Sequence, residues 1–248
     1  MSTSSWFVTK QLIKNLEKEK FLNVEKTVLL YKAYAFFFKT KTFILPTDNS
    51  DGAKYGGCIS SSGMVNLPNN ATKRLDQLQG GELVATMDLQ TGLPTFERFL
   101  GNFHESESEP TVVIETKGGG SIRLTHDHLI HVTTNVSDVI QAVQAKSVKP
   151  GVYVITRNNQ KEKVVGVRKN GRQEHVVAPY TASGNLIVNG IVTSCYSRVT
   201  SHRMAHLALY PLRLLGSFDH DDKLVTSYIR FLRWLGSFLL PSWYFGDE

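Results

Sequence analysis

Covalent cross-links are scarce in this chain, whose 248 residues contain only two cysteines, Cys58 and Cys195. A disulfide scaffold is therefore excluded, and stability must come from packing. Long apolar runs are also missing. The stretch from Val28 to Leu45 is broken by Lys32, Lys39 and Lys41, leaving nothing near the roughly 20 uninterrupted apolar residues of a membrane span. The opening MSTSSWFVTKQLIK lacks the basic n-region, apolar h-region and small-residue cleavage site of a secretory signal. No CxxC or HExxH spacing occurs, so the common zinc signatures are absent. The expectation is a soluble chain with no metal and no cofactor.

What is present is enough apolar material for a packed core, 41% of all residues. The net charge of +6 is uneven, because residues 1–57 hold nine lysines against five acids and the remainder is nearly neutral. Lysines scattered among glutamates read as a solvated helix face, and nucleic-acid binding is not expected.

Three regions follow from composition. Residues 1–50 form a leader, helical or disordered, with helix-forming Leu, Lys and Glu over residues 9–40. The breaker-rich string from Pro46 to Gly52 predicts a domain boundary near residue 50. Residues 51–199 then carry short apolar or alternating runs: Glu82 to Met87, Thr111 to Thr116, Ser121 to Leu124, Leu129 to Thr133, Val152 to Thr156, Lys163 to Val167, Asn185 to Val188 and Ile191 to Ser194. With Gly118-Gly119-Gly120 and Asn170-Gly171 as turns, these runs predict a compact all-β domain, interrupted by a short helix at Ser137 to Ala145. In residues 200–248, Leu224, Val225, Tyr228, Ile229, Leu232 and Leu235 share one helical face, opposite Arg230 and Arg233. Trp243, Tyr244 and Phe245 follow, as core residues or as interfacial anchors.

The chemistry is concentrated at Cys58, which follows Gly56-Gly57. A thiolate directly after glycine can attack the preceding carbonyl, and glycine offers no side chain to obstruct it. Such a reaction needs a polarised peptide group and a proton for the leaving amine. Thr125 and His128, in LTHDHLIHV, are the residue types that supply both. The same string permits a rival arrangement, with His126 and His128 on one strand face and Asp127, His131 or a cysteine completing a zinc site. Cys195 has three open readings: a second reactive thiol, a disulfide partner of Cys58, or a buried structural residue.

Taken in order, GGC, LTHDHLIHV, VVAPYTASGNLIVNGIVTSCYSRV and MAHLALYPLRLL resemble the C-terminal autoprocessing domain of the hedgehog family, including its nematode (warthog-type) relatives, and LDQLQGGELVATM matches the early strands of the Hint fold. The resemblance implies an all-β, pseudo-twofold horseshoe shared with inteins, followed by a sterol-recognition extension over residues 200–248. It implies Cys58 as nucleophile of an acyl shift at the Gly57-Cys58 bond, with His128 serving the scissile nitrogen and Thr125 holding that amide. A sterol hydroxyl would then attack the thioester and release the N-terminal segment, the chain's own substrate, esterified at Gly57. His104 stands where the family's acceptor-activating acid is expected, either as a general base or as an exposed loop histidine. Ile59 and Ser60-Ser61-Ser62 depart from the family's usual Phe and Pro, and residues 1–57 do not resemble the hedgehog signalling domain. Cell-cell signalling and the secretory pathway are implied by the resemblance alone. The competing expectation is a cleavage-inactive module that binds lipid, a membrane surface or a protein through its amphipathic extension.

Overall fold

A computed structural model describes residues 58–134, 139–197, 199, 201–217, 225, 228, 229 and 232, without the side chains of 104–108, 171, 172, 214 and 215. The leader, Gly57, the start of the helix expected at Ser137 and the aromatic triplet at Trp243 lie outside these residues.

Twelve strands are described: β1 (Ile59–Ser60), β2 (Met64–Asn66), β3 (Thr72–Arg74), β4 (Leu83–Met87), β5 (Pro94–Thr116), β6 (Ser121–Thr125), β7 (His128–Thr133), β8 (Gln141–Gln144), β9 (Tyr153–Ile155), β10 (Lys161–Thr181), β11 (Asn185–Val188) and β12 (Ile191–Ser197). The expected all-β class holds. β7 and β11 are buried along their whole lengths, which explains why their sequences read as apolar runs and not as alternation. β11 and β12 are joined by Asn189-Gly190, both at positive φ (51° and 77°), the backbone a two-residue hairpin requires. Their register runs from Val188 opposite Ile191 to Asn185 opposite Ser194.

An internal repeat underlies the architecture. Leu75–Gln77 forms a 3-10 turn, Gly81 follows at φ 95°, and β4 then turns into the long β5. Ala145–Ser147 forms a second such turn, Gly151 follows at φ 101°, and β9 turns into the long β10. Both glycines occupy backbone that a side chain would strain. The two long arms pair antiparallel, from Thr116 opposite Val164 to Phe99 opposite Thr181, through several register shifts. This is the pseudo-twofold arrangement that the sequence resemblance implies. Ala85 and Met87 from the first half pack with Ile155 from the second, together with Ile187 and Val192. Each large apolar side chain buried there is worth about 1.5–3 kcal/mol.

Two local expectations are corrected. Gln141–Gln144 is a strand paired with β7, Leu129 opposite Gln144, and not part of a helix. Asn170-Gly171 is not a hairpin turn; it lies within β10 at a register shift against β5.

Past the sheet, α1 (His202–Ala208) is capped by Ser201, whose side chain accepts from Met204 N–H. α2 (Tyr210–Leu215) follows, with Pro211 in its first turn. The Tyr180 hydroxyl donates to Leu209 O at 3.1 Å and the Tyr228 hydroxyl to Ala208 O at 2.9 Å. Val225 and Leu232 are buried and helical, as the amphipathic pattern requires.

Candidate active site

Strands β10, β1, β6 and β5 pair in a closed cycle, because β5 bonds both β6 and β10. Cys58 sits at the entrance to β1 within this cycle. Ile59 lies opposite Val177 on one side and Leu124 on the other. The Cys58 side chain is 1% exposed and packs with Val176 and Ala178, with Phe103 against them.

Thr125 is the last residue of β6, and its placement follows from that pairing. The Cys58 N–H donates to Thr125 Oγ1 at 2.9 Å. In return the Thr125 N–H donates to the Cys58 carbonyl at 2.9 Å. The nitrogen expected to become the leaving amine is thus held from the side chain, and its own residue from the backbone.

A two-residue turn, His126-Asp127, leads from Thr125 to His128 at the start of β7. His128 is fully buried. Its Nε2 lies 2.8 Å from the carbonyl oxygen of Ser194. A carbonyl only accepts, so Nε2 carries the hydrogen and Nδ1 is the nitrogen that gains or loses the exchangeable proton.

The donor set of the zinc reading is dispersed. His126 is a turn residue and does not share a strand face with His128. Asp127 forms an ion pair with Lys146 at 2.8 Å. His131 Nε2 is engaged with Asn185 Oδ1 at 2.8 Å, and burial pushes its pKa down to about 4. Among the described residues no group of three or more His, Cys, Asp or Glu side chains is placed to hold a metal ion.

Cys195 adjoins Ser194 on β12. It is buried, its sulfur lies 3.7 Å from Thr181 Oγ1, and burial pushes its thiol up to about 12. Cys58 and Cys195 are not joined by a disulfide, and a thiol so raised is a poor nucleophile. His104 is a strand residue of β5, not a loop residue. It stands between Phe103, which packs on the Cys58 cluster, and Glu105, which pairs with Val177.

Sequence reasoning did not find a polar cluster behind His128. The Ser194 hydroxyl lies 2.9 Å from His202 Nδ1 and accepts from Tyr196 N–H at 3.0 Å. The Tyr196 hydroxyl lies 2.7 Å from His206 Nδ1, and Arg213 reaches the same nitrogen at 3.0 Å. Burial pushes His202 down to about 3, helped by its neighbours His131, His206 and Arg213. Burial and Arg213 push His206 down to about 4. The only signal in the sequence was the pair of histidines four apart, His202 and His206, on one helical face.

A family model for the Hint module matches residues 46–235. The Indian hedgehog protein of Gallus gallus is 33% identical over 223 residues, covering 83% of this chain and 54% of that protein. The Indian hedgehog protein of Xenopus laevis is 33% identical over 195 residues, covering 72% and 46%. The chain therefore spans about half the length of these curated relatives. A crystal structure of a DnaB intein from Synechocystis is similar over 56% of this chain and 98% of that one, at 13% identity and a TM-score of 0.49. With the family match covering most of the chain and the strand repeat of the fold in place, this chain belongs to the Hint module family, as a hedgehog-type Hint domain.

Proposed function

We propose that the chain cleaves its own backbone between Gly57 and Cys58 and passes the N-terminal segment to an acceptor nucleophile. The observation that carries this reading is the reciprocal pair of hydrogen bonds between Cys58 and Thr125, with its scissile-side nitrogen bonded to the threonine hydroxyl. In the first step the Cys58 thiolate attacks the Gly57 carbonyl carbon, forming a C–S bond as the C–N bond breaks. The proton given up by the Cys58 thiol passes to His128 Nδ1, and the departing nitrogen takes it from there to become the amino terminus of the Cys58 fragment. Such proton transfer contributes about 10²–10⁴ in rate. Thr125 keeps the nitrogen oriented while its geometry changes from planar to tetrahedral.

In the second step an acceptor X–H attacks the thioester, releasing the segment as its Gly57 ester, thioester or acid and returning the Cys58 thiol. The hedgehog resemblance favours a sterol-like lipid alcohol as acceptor, with His104 as the base that takes its proton. It also favours maturation of a signalling protein in the secretory pathway. The rival reading is a non-cleaving lipid-binding module, for which the extension offers exposed Leu207 and Tyr210 beside buried Val225 and Leu232.

The test is incubation of the purified chain with dithiothreitol, and separately with sterol. Two fragments are expected, with a mass on the Gly57 terminus that identifies the acceptor, and Cys58→Ala should stay whole. Intact protein under every condition would sink the proposal.

A further inference from the structure

The register between β12 and β7 contains an irregularity that lies directly behind His128. Thr193 pairs with Ile130 and Ser197 with His128, so four steps along β12 face two steps along β7. β12 therefore bulges at Ser194–Tyr196. A bulge frees backbone groups from the ladder and re-aims them, and here it presents the Ser194 carbonyl to His128 Nε2 at 2.8 Å.

Two hydrogen bonds hold the bulge in shape, and both use one atom. Ser194 Oγ accepts from Tyr196 N–H at 3.0 Å, a local side chain to backbone turn. The same hydroxyl also hydrogen-bonds His202 Nδ1, 2.9 Å away at the first residue of α1. The His202 ring is wedged between aromatic neighbours, 4.9 Å from Tyr196 and 5.1 Å from His131 between ring centres. Tyr196 is in turn anchored to His206 on the next turn of α1. The helix that follows the sheet thus grips the one residue whose carbonyl sets the His128 tautomer.

We propose that His202 is a positioning residue for His128: by holding the Ser194 hydroxyl it fixes the bulge whose carbonyl locks His128 as the Nε2–H tautomer and keeps Nδ1 for proton transfer. This rests on the reading of His128 as the proton donor to the Cys58 nitrogen. The start of residues 200–248 then serves the first chemical step as well as any acceptor, and cleavage depends on α1 being seated.

The test uses the full chain with Cys58→Ala, labelled with ¹⁵N, and records the long-range proton–nitrogen spectrum of His128 in mildly alkaline solution. The Nε2–H tautomer alone is expected. With His202→Leu, a mixture of tautomers is expected, and in the Cys58 background dithiothreitol cleavage about tenfold slower. His202→Asn keeps a hydrogen-bonding amide for the Ser194 hydroxyl, and is expected to restore the single tautomer and a rate within about threefold of the original. Folded His202→Leu protein with the original tautomer and rate would overturn the proposal, as would His202→Asn as slow as His202→Leu. If His202→Leu does not fold, Ser194→Ala removes the hydroxyl alone, and an unchanged His128 spectrum in that variant overturns the proposal equally. Should the unaltered chain fail to cleave, the reading of the site fails while the tautomer comparison still decides the link.

Discussion

The peptide nitrogen of Cys58 donates to Thr125 Oγ1, and the peptide nitrogen of Thr125 donates back to the Cys58 carbonyl, both at 2.9 Å. This closed pair joins residues 67 apart in sequence. It exists because β1 is inserted between β6 and β10, which aligns Ile59 with Leu124 and brings the next residues face to face. The strand pairing thus places the hydroxyl.

Thr125→Ala should slow thiol-induced cleavage by about 10²-fold, on the scale of removing one positioned polar partner at a reacting group. Thr125→Ser, which keeps the oxygen, should stay within about tenfold of the original. The alanine variant also leaves the buried Cys58 N–H without its acceptor, at a stability cost of about 1–3 kcal/mol. Cleavage rates on gels and denaturant midpoints measure the two effects separately.

Cys195 is expected to behave as a structural residue. Its thiol, pushed up to about 12 by burial, should resist alkylation by iodoacetamide in the folded chain and react on unfolding, as peptide mass spectrometry would show. Cys195→Ala should leave cleavage within about threefold while lowering stability by about 1 kcal/mol. A cleavage-dead Cys195→Ala that remains folded would restore the reactive-thiol reading.

Stability should fall on mild acidification. His131, His202 and His206 have folded-state pKa values pushed below the ordinary histidine value, to about 4, 3 and 4. The unfolded chain therefore binds more protons as the pH drops through the free-histidine value near 6.5. Their contribution is complete above about 6.5 and is lost progressively toward their folded values. The melting temperature should decline already between about pH 6.5 and 5, before carboxylates titrate. A flat profile there would show that these histidines are solvated.

Met87 is fully buried where the two halves of the repeat meet, packed with Ala85, Ile155, Ile187 and Val192. Met87→Ala should cost about 2–5 kcal/mol, the range for emptying a core site that cannot collapse. Urea unfolding monitored by fluorescence gives the midpoint shift.

The strands legible in the sequence are those whose neighbours are local. The sequence marks Asn185–Val188 at its observed bounds, and β4 and β6 within one residue, because turn residues mark their ends. The arms β5 and β10 are legible only in part, since their polar and glycine-containing portions persist as strands through pairing with each other. Residues 141–144 carry spacing that suits helix or strand, and β7 decided between them by offering a free ladder. Asn170-Gly171 has strong turn chemistry, yet the long partner strand overrides it.

By itself the sequence determined the reacting residue types and their order: a cysteine after glycine, a threonine and a histidine one turn apart, and a polar serine-cysteine-tyrosine string far downstream. It also determined the all-β class, because short apolar runs punctuated by glycine and asparagine have no other way to bury their faces. Only the tertiary structure decided which nitrogen of His128 holds the hydrogen, that His104 is a strand residue, and that His202 sits behind the site. Each of those depends on one backbone carbonyl, one long pairing or one bulge formed between segments remote in sequence, and such non-local contacts leave no periodicity to read.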